Sequence, residues 1–198
     1  WDGDGVSLIP RGSYVSVLDV ATQKVFDIYR WSGVYHADCV PATAADTKTM
    51  CDIVNFTYRD TRPSASHLAN IIRYGKGEVD GPDHNYAWPD FGGHVHGHDI
   101  GAQWDRRAAL VRVSGSSKIY AVSLYGFPHG FTGADSFAQA KFPDKTLFYE
   151  RNNFYGMMCV HFIGSKTHGG NKVDDDHQEA IGVAYNWAKN NGYASICK

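Results

Sequence analysis

The chain has 198 residues, 43% of them hydrophobic and 14% aromatic, with 19 basic against 21 acidic side chains and a net charge of −2. That apolar fraction can build a core for a single globular domain over 1–198, and a near-neutral charge without a long basic run excludes a dedicated nucleic-acid binder. No apolar stretch approaches the roughly 18 residues that a spanning helix requires, so no membrane span is expected.

The sequence begins at Trp1 without a signal peptide, which reads as a processed or excised piece of something longer. Four cysteines (Cys39, Cys51, Cys159 and Cys197) lack any CxxC spacing. An even set of this kind predicts two disulfides in an oxidising compartment, hence a secreted or extracellular chain. The connectivity stays open, a local Cys39–Cys51 bridge being one choice.

Residues 14–20 alternate as a strand does, and a polar turn at 21–24 returns the chain through 25–30, predicting a hairpin. Thr43 followed by Asp46 has the form of a capping box, and Met50, Ile53 and Val54 give the next segment an apolar face, so a helix is expected over 43–55. Residues 57–101 hold six glycines from Gly75 to Gly97, three prolines and five histidines with little periodicity apart from a short helical pattern near 66–74. So long a stretch reads as an insertion or a functional loop system.

Segments 108–113 and 119–124 flank Ser114-Gly115-Ser116-Ser117 and predict a second hairpin. Residues 157–163 read as a buried strand. Asp174, Asp175 and Asp176 then open a helix over about 175–190, with Ile181, Ala184, Tyr185 and Ala188 on one face and Gly192 as the stop. The expected class is α+β: a central, mostly antiparallel sheet, two main helices and a long Gly/His-rich insertion.

The block from Cys159 to Gln178 is the richest in chemistry, running from a strand through a polar loop into a helix start. His161, His168, Asp174 and His177 lie in it, and imidazoles with a carboxylate suit Zn²⁺. His36 and Asp38, two apart in an extended segment, face the same side and add two ligand types. His129, between Pro128 and Gly130, is a further candidate. His94, His96 and His98 form the densest histidine cluster, a metal-binding or pH-sensitive loop on composition and a solvated loop on the plainer reading. Cys159 and His161, at i and i+2 on one strand, also make a thiol–imidazole pair.

His36-Ala37-Asp38 with Thr43 and Asp46, Trp104-Asp105-Arg106-Arg107, Pro128-His129 and the Cys159 to Gln178 block together resemble a poorly characterised extracellular domain. That domain belongs to surface proteins of Gram-positive bacteria and often stands beside wall-attaching modules. The resemblance covers about 14–56 and 102–190 and implies an extracellular, cell-wall-associated setting. Val160-His161 with Ser165-Lys166-Thr167-His168-Gly169-Gly170 is also similar to segments of L,D-transpeptidases, but Gly170 stands where those enzymes carry their cysteine, and the histidine spacing is shorter.

The leading expectation is a secreted zinc-dependent hydrolase of bacterial cell-wall peptidoglycan, acting on its peptide. His36, Asp38, His129, His161, His168 and Asp174 are the candidate ligands, and His168 or His177 the proton shuttle. Arg106 or Arg107 would anchor a substrate carboxylate. A non-catalytic wall- or glycan-binding module is the alternative, with Trp31, Tyr35, Trp88 and Trp104 stacking on sugars. The third reading makes Cys159 a nucleophile paired with His161.

Overall fold

The computed structural model describes residues 5–55, 104–129, 152, 154, 157–167, 170–193 and 196, without the side chains of 127–129. The 57–101 segment, with the His94, His96 and His98 cluster and Trp88, lies outside the described residues, as do His168 and Cys197. Six strands appear: β1 (Tyr14–Asp19), β2 (Val25–Ser32), β3 (Ala37–Pro41), β4 (Arg107–Val113), β5 (Ile119–His129) and β6 (Met157–His161). Among the described residues two α-helices accompany them, α1 (Ala44–Ile53) and α2 (Asp175–Asn191), so the class is α+β. No helix among the described residues is long and apolar enough to cross a membrane.

All strand pairs are antiparallel, and the sheet closes on itself in the order β1-β2-β3-β6-β5-β4. The expected sheet is therefore a barrel. Closure comes from the long-range pairings of β1 with β4 and of β3 with β6, which turn the apolar faces of the strands inward. Val15 and Val17 of β1, Phe26 and Ile28 of β2, and Val111 and Val122 of the second hairpin all point into one core. The sequence reading assigned no strand to β3. All five of its residues are buried, so it carries no alternation to read.

Thr43 caps α1, its hydroxyl accepting from the Asp46 amide at 3.3 Å. Asp46 answers the cap through its side chain, Oδ2 accepting from the Thr43 hydroxyl at 2.6 Å, while its Oδ1 accepts from the Asp27 amide of β2 at 2.8 Å and ties the helix to the barrel. Helix α2 lies over the outer face of β4 and β5, where Leu18, Leu110 and Ala184 form a second core. Gly192, at φ 72, ends it in the left-handed region that glycine favours.

Two sequence expectations are corrected here. Cys39, Cys51 and Cys159 are buried thiols with no disulfide among them. Strand alternation is the reason: Cys39 points into the barrel, Cys159 sits on its outer face and Cys51 belongs to α1. Trp104 is fully buried, edge-on to Phe26 at 6.2 Å, and Trp31 is also buried, so neither presents a ring for sugar stacking. Tyr35 is the exposed one of the described set, at 42%.

Candidate metal centre

Register decides which polar side chains meet. On the outer face of β3, β6 and β5, Asp38 pairs with Cys159, and Cys159 with Tyr125. One position along, Ser123 pairs with His161, and since Ala37 pairs with Val160, His36 falls opposite His161 on the other side. Two rows result, His36–His161–Ser123 and Asp38–Cys159–Tyr125. Gly33, at φ 97, makes the approach to β3 possible: a Cβ there would lie 2.0 Å from the His36 carbonyl oxygen and 2.7 Å from the Asp38 nitrogen.

The ligand atoms of His36, Cys159 and His161 all lie within 4.8 Å of one another, and Asp38 joins them, its Oδ1 3.2 Å from His36 Nε2 and 4.0 Å from Cys159 Sγ. His36, Asp38 and His161 are only 1%, 2% and 3% exposed. The proton inventory of His36 is informative. Its Nδ1 lies 2.8 Å from the Lys166 carbonyl oxygen, which can only accept, so Nδ1 carries the proton. In the neutral ring Nε2 then turns a lone pair toward the Asp38 carboxylate. Two acceptors face each other at that distance only with a proton or a cation between them.

Burial pushes the Cys159 thiol well above its usual range, and Asp38 and then Cys39 push it the same way. A thiolate at this place needs a positive neighbour. Burial also raises the Tyr125 hydroxyl, with Asp105 and Cys159 adding to it.

A third imidazole closes over the row. His177, in the first turn of α2, stacks on His161 at 3.7 Å between centroids, and His161 stacks on His36 at 4.3 Å. Ser123 Oγ lies 2.8 Å from His177 Nδ1. Asp174 is the N-cap of α2, accepting from the His177 amide at 3.0 Å, and Arg106 grips its two oxygens at 3.0 and 2.8 Å. Arg106 hydrogen bonds hold the Asp174 carboxyl well below the usual carboxylate range. Arg106 also bonds Asp105, and Arg107 is paired with the fully buried Asp19, so both arginines have internal carboxylate partners.

Among the sequence candidates, the structure thus gathers His36, Asp38, Cys159 and His161, with His177 stacked beside them. Asp174 stands apart as a helix cap. The His129 backbone pairs with Met157 in β5, and its side chain is outside the described set. The sequence offers Cys159 as a nucleophile, whereas the structure sets it among candidate ligands, and the contacts of Ser123 with His177 and of Ser165 with His161 are not foreseen there. Ser123 meets His177 through the packing of α2 on the sheet, and Ser165 meets His161 through the turn that follows β6.

Burial lowers the His177 pKa from its ordinary value to about 4. The unfolded chain therefore binds a proton between about pH 6.5 and 4 that the folded chain does not. The stability this group contributes is full above pH 6.5 and falls as the pH drops toward 4, by on the order of 2–3 kcal/mol in all. Urea midpoints of chelator-treated protein at pH 7 and pH 5 should show this loss, and His177→Gln should flatten it. An unchanged pH slope in the variant would mean that other groups carry the effect.

Comparison with known protein families, with curated proteins and with solved structures finds no match to this chain.

Proposed function

We propose that this chain is a zinc-dependent hydrolase acting on the peptide of bacterial cell-wall peptidoglycan, with His36, Cys159 and His161 as ligands and Asp38 as the adjoining carboxylate. One observation carries the reading: two imidazoles and a thiol, with a carboxylate against them, meet on paired strands within 4.8 Å. Two nitrogens and one sulfur are a donor set zinc favours. A proton shared by His36 and Asp38 would also balance that carboxylate, and it is the convergence of Cys159 and His161 on the same point that favours a cation. The same reasoning argues against Cys159 as a free nucleophile, because its surroundings oppose the thiolate unless a cation is present.

Bound zinc would supply a nucleophile by acidifying a water and would polarise the scissile carbonyl. The residues around it have separate tasks. Asp38 balances the cation's charge at His36. His177 stacks on His161 beside the proposed ion, and since burial keeps it neutral, in the shuttle role it would accept a proton rather than hold one at neutral pH. The wall peptide as substrate, and the extracellular setting, rest on the resemblance of the His36–Asp46, Trp104–Arg107 and Cys159–Gln178 segments to a domain of Gram-positive surface proteins.

Metal analysis of the purified protein should find about one equivalent of zinc. Incubation with purified peptidoglycan should release new amino ends, chelation should stop the release, and added zinc should restore it. Full hydrolysis by metal-free protein would end this reading. Sedimentation with walls and no released fragments would favour a binding module instead.

A further inference from the structure

The two imidazoles are aimed by one short turn. After β6 the chain reverses through Phe162–Ser165, with the Ser165 amide donating to the Phe162 carbonyl at 3.0 Å. In return Ser165 Oγ accepts from the Phe162 amide at 3.0 Å and lies 3.2 Å from His161 Nδ1. The next residue, Lys166, offers its carbonyl to His36 Nδ1 at 2.8 Å. Consecutive residues of one turn thus occupy the Nδ1 atoms of both histidines, although His36 belongs to the approach to β3 and His161 to β6. Gln178 of α2 secures this turn, accepting from the Gly164 amide at 2.8 Å and donating to the Phe162 carbonyl at 3.4 Å.

We infer that Ser165 is a positioning residue that fixes the tautomer and ring orientation of His161, so that both histidines present Nε2 to one ion; this rests on the metal reading above. Ser165 Oγ has one lone pair taken by the Phe162 amide and a second available to accept from Nδ1–H. That acceptance leaves Nε2 as the coordinating atom and raises its basicity, the usual service of a group behind a metal-bound imidazole. Lys166 performs the same task for His36 with a main-chain oxygen that side-chain substitution leaves in place, so the serine is the part open to test.

The experiment reads metal binding rather than hydrolysis. Zinc affinity is measured by competition with a chromophoric chelator, and Co²⁺ replaces zinc to report the thiolate charge-transfer band. Ser165→Ala should weaken zinc on the order of 10- to 100-fold and change the Co²⁺ spectrum. Ser165→Thr and Ser165→Val differ in one oxygen at equal bulk, so threonine should bind as the native protein does and valine as alanine does. That pair also serves if the alanine variant does not fold. Native affinity in folded Ala or Val variants overturns the role given to Ser165 and leaves the metal reading intact. A native protein that binds neither zinc nor Co²⁺ overturns both.

Discussion

His161→Asn is expected to leave the protein folded, nearly free of zinc, and at least about 100-fold slower in releasing wall peptides. Asparagine places its amide close to the position of Nδ1, so the contact with Ser165 at 3.2 Å is retained. What it deletes is the atom at the Nε2 position, the one left to reach an ion. The choice matters because His161 is the middle member of the stack, 4.3 Å from His36 and 3.7 Å from His177, and alanine would open a cavity there. Metal analysis and the assay for new amino ends should fall together. Normal zinc content with normal hydrolysis would remove His161 from the ligand set. Alkylating the metal-free protein gives a separate check on the thiol: a buried Cys159 with a raised pKa should react slowly, whereas an activated nucleophile would react fast.

A second large effect is expected far from catalysis. Arg30 is 4% exposed and continues the inward series of Phe26 and Ile28, which brings its guanidinium into one end of the barrel. There it donates to four carbonyls: Ser32 at 3.0 Å, Gly33 at 2.9 Å, and those of Val6 and Ile9. The last two belong to the N-terminal turn Gly5–Leu8 and the residue after it, a segment that packs so closely on Phe162 that a Cβ at Gly5 would lie 2.4 Å from the Phe162 Cβ. Arg30→Ala would remove a donor from all four carbonyls, of which Gly33 keeps Arg11 and Val6 keeps the Ile9 amide, and would free that segment. A loss of about 3–5 kcal/mol is expected, a large part of the stability of a domain this size. Arg30→Lys should recover little, since a single ammonium cannot span carbonyls on both sides. Urea unfolding followed by far-UV circular dichroism measures this, and a change under about 0.5 kcal/mol would show that the clamp is dispensable.

Local physics made part of this molecule readable in sequence. The first hairpin announces itself through period-two alternation and the second through the Ser114–Ser117 turn between two apolar runs. Thr43 and Asp174 announce the helix starts, because capping is a contact between near neighbours. Strand β3 was hidden by its complete burial, and closure of the barrel by the fact that nothing local encodes which edges join. The centre shows the same division. Residue chemistry alone nominated His36, Asp38 and His161, but the pairing that sets Asp38 against Cys159 joins positions 121 apart. The disulfide expectation failed because a cysteine count carries no information about which face of a strand each thiol occupies. Asp174 looked like a ligand for a related reason: a carboxylate beside histidines has the same composition whether it caps a helix or binds an ion.

Pairing of β1 with β4 and of β3 with β6 joins the first third of the chain to its middle and end. Loop-closure entropy of that kind is met before the contacts repay it, so folding should be slow for a domain of this length. The candidate ligands straddle one of these late seams. An ion therefore has no complete set of donors to grip until the cylinder has shut, and it cannot template the search that shuts it. Its influence should fall on the rate of opening: metal-loaded protein should unfold more slowly than metal-free protein while refolding at nearly the same speed.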